Sequence, residues 1–306
     1  MGQLIKGVWK AGWYEPDEKG AFVRPDAVFQ KCREHPAERG RYHLYVAYAC
    51  PWAHRTIITR ALRGLEDAIP MTVVDPHMGD DGWQFAKDDP DPLFGASYLR
   101  EIYVRAKQDY SGRVTVPVLW DKKDNTIVCN DSRGVMRTLD VDFESLATKG
   151  TSLAPPELRK KIDETLTEIY GPINNGVYSA GFATKQEPYE KAVKQLFHAL
   201  EHWDGVLGKQ RFLTGDTFTE ADIAMFTTLL RFDLVYYAHF KCNVRRLRDH
   251  ENLWRFLREV YAMPDVKKTC HFDHIKVHYY WSQTTVNPHR IVPVGPADYE
   301  GALSAK

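Results

Sequence analysis

Tyr45-Val46-Ala47-Tyr48-Ala49-Cys50-Pro51-Trp52-Ala53-His54-Arg55 is the stretch on which the reading of this chain turns. An apolar, strand-like run ends at a cysteine, a proline follows at once, and Arg55-Thr56-Ile57-Ile58-Thr59-Arg60-Ala61-Leu62 then carries a helix-like pattern. Proline suits a first-turn position, where its preset φ fits and its missing N–H costs nothing. Cys50 therefore falls at a helix start, where unsatisfied N–H groups and the positive end of the helix dipole favour thiolate over thiol. The competing reading is a small buried core residue that happens to precede a proline.

Working outward, residues 41–49 read as a buried strand, and the first helix runs to about Gly64. Met71-Thr72-Val73-Val74 is a second short, β-branched strand. The insertion at 75–97 is rich in Asp, Pro and Gly and carries Trp83; irregular segments of that length inside a compact domain are often functional. A helix around 97–106 precedes Arg113-Val114-Thr115-Val116-Pro117-Val118-Leu119-Trp120-Asp121, a strand interrupted by proline, which a cis bond usually accommodates. Thr126-Ile127-Val128-Cys129 is the next strand, and Asn130-Asp131-Ser132 opens a helix with polar capping groups. The order βαβ, β-Pro-β, α is thioredoxin-like and occupies 41–145. From Pro155 onward the periodicity is helical, with helices expected at 156–175, 187–208, 219–237, 250–262 and 265–281. The fold class is thus an α/β thioredoxin-like N-terminal domain followed by an all-α domain over 155–283. Thr219-Glu220-Ala221-Asp222 has the form of a capping box. Residues 1–40 read as an extension packed on the outside, and 284–306 as a tail without helical pattern.

A chain of 306 residues has ample material for two domains. Lys+Arg and Asp+Glu both number 41, so no net field draws the protein to nucleic acid or an anionic membrane. Arg245-Arg246-Leu247-Arg248 is a compact basic cluster, better explained as a solvated helix end. Five scattered cysteines with no C-x-x-C argue against a disulfide framework and fit a reducing, cytoplasmic setting. No apolar run approaches the ~18 residues that a membrane-spanning helix needs, and the N-terminus has no signal-peptide pattern.

Cys50-Pro51-Trp52-Ala53-His54-Arg55-Thr56, the Arg113–Asp121 run, Asn174-Asn175-Gly176-Val177-Tyr178 with Gly181-Phe182-Ala183, and Ile275-Lys276-Val277-His278-Tyr279-Tyr280 together resemble the soluble glutathione transferases, within them the Xi class, the glutathionyl-hydroquinone reductases. Pro117, an acid–Ser pair and the capping box are shared by the whole superfamily; C-P-W-A with N-N-G-V-Y and H-Y-Y is much narrower. Asp131 stands where the family usually has Glu before Ser132.

The resemblance implies glutathione as co-substrate on the N-terminal domain. Asp131 would pair with the γ-glutamyl ammonium, and Ser132 with the helix start would bind its carboxylate. A cis Pro117 would leave the Val116 backbone to pair with the glutathione cysteine, with Val114 and Arg113 alongside, Arg113 for the glycine carboxylate; Trp83 would close over the tripeptide. The ordinary alternatives are plain helix capping for Asp131 and Ser132 and loop packing for Trp83. A cysteine at the helix start, unlike Ser or Tyr, can itself attack sulfur and form a mixed disulfide. The resemblance thus implies removal of glutathione from a glutathionylated aromatic hydroquinone, with Tyr178, Tyr236 and Tyr279 as the matching tyrosines that hold the phenolic oxygens. It leaves open whether Tyr237 and Tyr280 replace their neighbours, and it implies a homodimer. Cys270, His271, His274 and His278 have helical spacing that could mimic a metal cluster, but packing roles beside Tyr279 are the simpler reading, and no metal is expected. Two other functions remain on the sequence: an omega-like glutathione thioltransferase or dehydroascorbate reductase using the same Cys50, and a non-catalytic binding module of transferase fold.

Overall fold

A computed structural model describes residues 2–305. The chain packs into two compact units. The first comprises the segment ending at Trp13, Pro25–Ser152 and His271–Ser282; the second comprises Tyr14–Arg24, Leu153–Cys270 and the segment from Gln283.

The first unit contains β1 (Gly2–Ile5), β2 (Val8–Ala11), β3 (Tyr42–Val46), α1 (Pro51–Leu62), β4 (Met71–Val73), α2 (Leu99–Ala106), β5 (Gly112–Arg113), β6 (Val118–Asp121), β7 (Thr126–Cys129) and α3 (Ser132–Arg137). Its main sheet has the order β4-β3-β6-β7. β4 runs parallel to β3 (Leu44 opposite Met71), whereas β6 is antiparallel to both β3 (Leu44 opposite Leu119) and β7. All five residues of β3 are buried, as a strand with neighbours on both edges and covered faces requires. β3 can therefore deliver Cys50 from a rigid base.

The N-terminal residues are more than an outer wrapping. β1 and β2 form a hairpin closed by Lys6-Gly7, both left-handed (φ 50° and 77°), the two-residue turn whose twist matches its strands. β1 then pairs with β5, placing Gln3 opposite Arg113. A second departure concerns the cysteines: Cys32 and Cys129 form a disulfide across a sequence separation of 97 residues. Gln30 bridges to Cys129, which lays this segment beside β7; no local spacing could reveal that pairing.

The second unit contains α4 (Arg159–Ile169), α5 (Gly176–Gly181), α6 (Gln186–Leu207), α7 (Glu220–Leu229), α8 (Glu251–Tyr261) and α9 (Pro264–Lys267). α10 (Phe272–Ser282) packs with the first unit, and α11 (Tyr299–Ser304) with the second. The helix expected over 156–175 loosens into a π-helical turn at Tyr170–Asn174, where Pro172 cannot donate to the α-helical ladder. A like turn, Phe232–Tyr236, follows α7 inside the stretch expected as one helix, 219–237. The run expected over 265–281 is broken into α9 and α10. The tail, read as lacking a helix, forms α11 because tertiary bonds hold it: Tyr299 donates to the Leu230 carbonyl (3.1 Å) and Tyr261 to the Glu300 carboxylate (2.9 Å). Among the described residues, no helix is long and apolar enough to cross a membrane.

Candidate active site

Cys50 is the residue before α1, in extended backbone (φ −78°, ψ 122°), and Pro51 is the first helical residue, as the sequence predicts. Its half-buried thiol donates to the Val116 carbonyl at 3.7 Å. Val116 and Pro117, joined by a cis peptide bond, lie just before β6 and outside its ladder. The structure thus brings together two separately singled-out stretches, Cys50-Pro51 and Val116-Pro117.

β7 leads into the acid–Ser pair. Asp131 is the N-cap of α3, its Oδ2 accepting from the Gly134 N–H (2.7 Å), and Ser132 is the buried first residue of that helix. Capping does not exhaust the carboxylate, because one oxygen makes this bond and a carboxylate has about four acceptor positions. The turn is fixed from beneath by Asn130, a role that the capping pattern of Asn130-Asp131-Ser132 does not show. Its Oδ1 accepts from the Phe29 N–H (3.0 Å), while its Nδ2 donates to the Tyr103 hydroxyl (3.1 Å).

Arg113, on β5, donates from Nη1 and Nη2 to the carbonyls of Gly12 (3.2 Å) and Trp13 (2.8 Å), so the N-terminal strand region orients its guanidinium; neighbouring Val114 is buried. The insertion that carries Trp83 is ordered around Asp91. This buried carboxylate accepts from the N–H groups of Leu93, Phe94 and Ala96 and from the Tyr45 hydroxyl (2.8 Å). Trp83 is itself buried and stacks on His278 (centroids 4.6 Å apart, planes 18° apart). His278 Nδ1–H donates to the Pro76 carbonyl (3.0 Å), which also accepts from Ser282 Oγ (3.2 Å), clamping the insertion to α10. His271 stacks on Tyr48 at 3.6 Å and His274 meets the same ring edge-on. Burial first, and then His274, holds His271 below the usual imidazole range. His271, just before α10, and His274 and His278 on it thus serve aromatic packing.

Tyr279 is buried on α10, in the same unit as Cys50. Tyr178, on α5, and Tyr236, in the turn after α7, are in the second unit, where their rings meet edge-to-face at 6.0 Å with Phe240 against both. Tyr236, not the half-buried Tyr237, is the member of this pair. A thiol beside a kinked backbone, a carboxylate and hydroxyl at one turn, and a guanidinium are groups suited to a thiol-bearing peptide with charged ends.

Two family models match the chain: the glutathione S-transferase N-terminal domain over residues 49–141 and the glutathione S-transferase C-terminal domain over 186–259. The chain is 47% identical to glutathionyl-hydroquinone reductase YqjG of Escherichia coli, covering 97% of this chain and 95% of that one. With glutathionyl-hydroquinone reductase PcpF of Sphingobium chlorophenolicum it shares 44% identity, over 97% of each. Among solved structures, a Xi class transferase from Natrialba magadii superposes with a TM-score of 0.89 at 49% identity, covering 97% of this chain and 94% of that one. The glutathione-bound structure of YqjG gives 0.86 at 46% identity, over 96% of each.

Proposed function

The chain belongs to the Xi-class glutathione transferases, and from that premise we propose that it is a glutathionyl-hydroquinone reductase that works through a Cys50–glutathione mixed disulfide. The observation that carries this reading is the Cys50 thiol at the start of α1, beside the Val116 carbonyl, in a chain so similar over its length to proteins of that name. Glutathione is the co-substrate. Asp131 takes its γ-glutamyl ammonium, Ser132 its α-carboxylate, the Val116-Pro117 backbone with Val114 its cysteinyl portion, and Arg113 its glycine carboxylate, with Trp83 over the tripeptide.

The reaction has two steps. The Cys50 thiolate attacks the sulfur of the glutathionyl-hydroquinone; the S–S bond forms as the aryl carbon–sulfur bond breaks, and the ring carbon leaves with the electron pair and takes a proton. Hydroquinone departs, leaving Cys50 joined to glutathione. A second glutathione thiolate then attacks the glutathione sulfur of that disulfide, releasing oxidised glutathione and regenerating the Cys50 thiolate. The two electrons that reduce the ring carbon come from the pair of glutathione sulfurs, and no other reductant is needed. Tyr178, Tyr236 and Tyr279 have the chemistry to hold the phenolic oxygens and supply the proton, each offering a hydroxyl on an aromatic surface.

Cys50→Ala abolishes glutathionyl-hydroquinone reduction and leaves no glutathione adduct on the intact protein by mass spectrometry, whereas the wild type incubated with substrate and limiting glutathione gains one glutathione mass at Cys50. Full turnover by the alanine variant would sink this function. The family reading also makes the protein a homodimer, which light scattering on the purified protein tests as a mass of two chains.

A further inference from the structure

We propose that Arg24, from the N-terminal segment Tyr14–Arg24, is a positioning residue for Tyr178 in hydroquinone release. The proposal rests on the reading of Tyr178 as a group that holds a phenolic oxygen. Although Tyr14–Arg24 precedes the whole thioredoxin-like region in sequence, it packs within the helical unit. Its backbone is fastened there: the Gly20 carbonyl accepts from the Thr184 N–H (2.9 Å), and Lys185 Nζ donates to the Glu18 carbonyl (3.0 Å). The Tyr14 and Phe22 rings rest on Phe182 at 6.2 and 5.2 Å, one residue beyond α5.

At the end of this segment the Arg24 guanidinium lies over the face of Tyr178, 4.7 Å from the ring centroid, with Phe22 also beneath it at 5.2 Å. Its Nε–H donates to Asn175 Oδ1 (2.6 Å), and Asn175 is the residue before α5, three before Tyr178. One cation is thus pinned to the start of the helix and presses on the ring that the same helix carries. A guanidinium over an aromatic face is attracted by the ring's quadrupole, and its planar fork can hold an amide and a ring at once. Phe240, Tyr236 and Phe182 surround Tyr178 at inclined angles (5.5, 6.0 and 5.8 Å), and Arg24 adds the cation over its face, which holds the ring plane and with it the direction of the hydroxyl. A proton donor to the leaving hydroquinone must keep that direction within a small tolerance. Attack on a simple disulfide makes no such demand, because its leaving thiolate carries no phenolic oxygen.

The test compares Arg24→Met, Arg24→Lys, Asn175→Ala and Tyr178→Phe in two assays: reduction of a glutathionyl-hydroquinone and glutathione-dependent reduction of hydroxyethyl disulfide. Arg24→Met should lower kcat for the hydroquinone substrate about tenfold, an order-of-magnitude figure for a mis-set proton donor, with KM for glutathione and disulfide reduction unchanged. Arg24→Lys, keeping a cation without the fork, should recover part of the loss, and Asn175→Ala should show a smaller loss of the same kind. In the Arg24→Met/Tyr178→Phe double variant the losses should not add. Equal falls in both assays, or additive losses, would show a merely structural Arg24 and overturn the inference. Wild-type kcat in Arg24→Met with an impaired Tyr178→Phe overturns the inference alone; wild-type kcat in Tyr178→Phe overturns the reading on which it rests.

Discussion

At the scale of single residues, substitution can separate the observed duty of Asp131 from the proposed one. Its Oδ2 caps α3 through the Gly134 N–H, and its charge is proposed to hold the glutathione ammonium. Asp131→Asn keeps an oxygen for the cap, so stability should stay near that of the wild type while KM for glutathione rises about tenfold, roughly the value of one charge-assisted bond. Asp131→Ala loses the cap as well and should cost a further ~1 kcal/mol in urea unfolding. Equal KM in Asn variant and wild type would remove the ammonium assignment. Cys50-Pro51 and Asp131-Ser132 were legible because their signals are local: a proline at a first turn and a short acid before a helix state their positions within a few residues. The partners of Asn130 and His278 were not, because each lies far along the chain, Tyr103 and Phe29 for one and Trp83 and Pro76 for the other. No spacing rule connects such pairs.

At the scale of elements, the capping box of α7 was read from four consecutive residues, and the fold gives it more to do than sequence suggests. The fully buried Asp222 carboxylate accepts from the Thr219 N–H (2.8 Å) and hydroxyl (3.1 Å) and from the Leu213 N–H (2.8 Å), so it also ties the preceding loop to the helix. Asp222→Ala leaves these buried donors without that acceptor and should cost roughly 2–4 kcal/mol of unfolding free energy, read by urea titration; a loss below about 0.5 kcal/mol, the scale of a surface substitution, would show that the box is idle. Other element boundaries were hidden for stated reasons. Pro172 and the π-helical turns break long apolar periodicities that continue smoothly in sequence, and α11 exists through the bonds of Tyr299 and Glu300 rather than through any pattern of its own.

At the scale of the whole molecule, the chain does not divide at one linker. The described residues up to Trp13 and α10 belong to the first unit, and Tyr14–Arg24 belongs to the second. Composition shifts along a sequence cannot report such interleaving, since it depends on which surface a segment meets. Both units nevertheless bury a neutral histidine, and this makes acid stability a property of the entire protein. His43 bonds to Thr72 Oγ1 (2.8 Å) in the first unit, and His239 to Gln283 Oε1 (2.9 Å) in the second. Burial brings each down to about 4 from the ordinary 6.5. Between those values the unfolded chain binds protons that the folded chain refuses, so stability is full above about pH 6.5 and is lost as the pH falls toward 4. The ceiling is about 3 kcal/mol for each histidine, at about 1.4 kcal/mol per pH unit. Asp222 opposes this trend: burial raises its carboxyl to about 7, so the folded chain takes up its proton first and gains stability on acidification. The raw pH profile therefore mixes both signs, and the clean readout is a difference. Unfolding free energy of wild type minus that of His43→Gln should fall steadily from pH 7 to pH 4 and level off at either end, with His239→Gln behaving alike. A difference that stays constant across this range would mean that these histidines do not govern the acid limb.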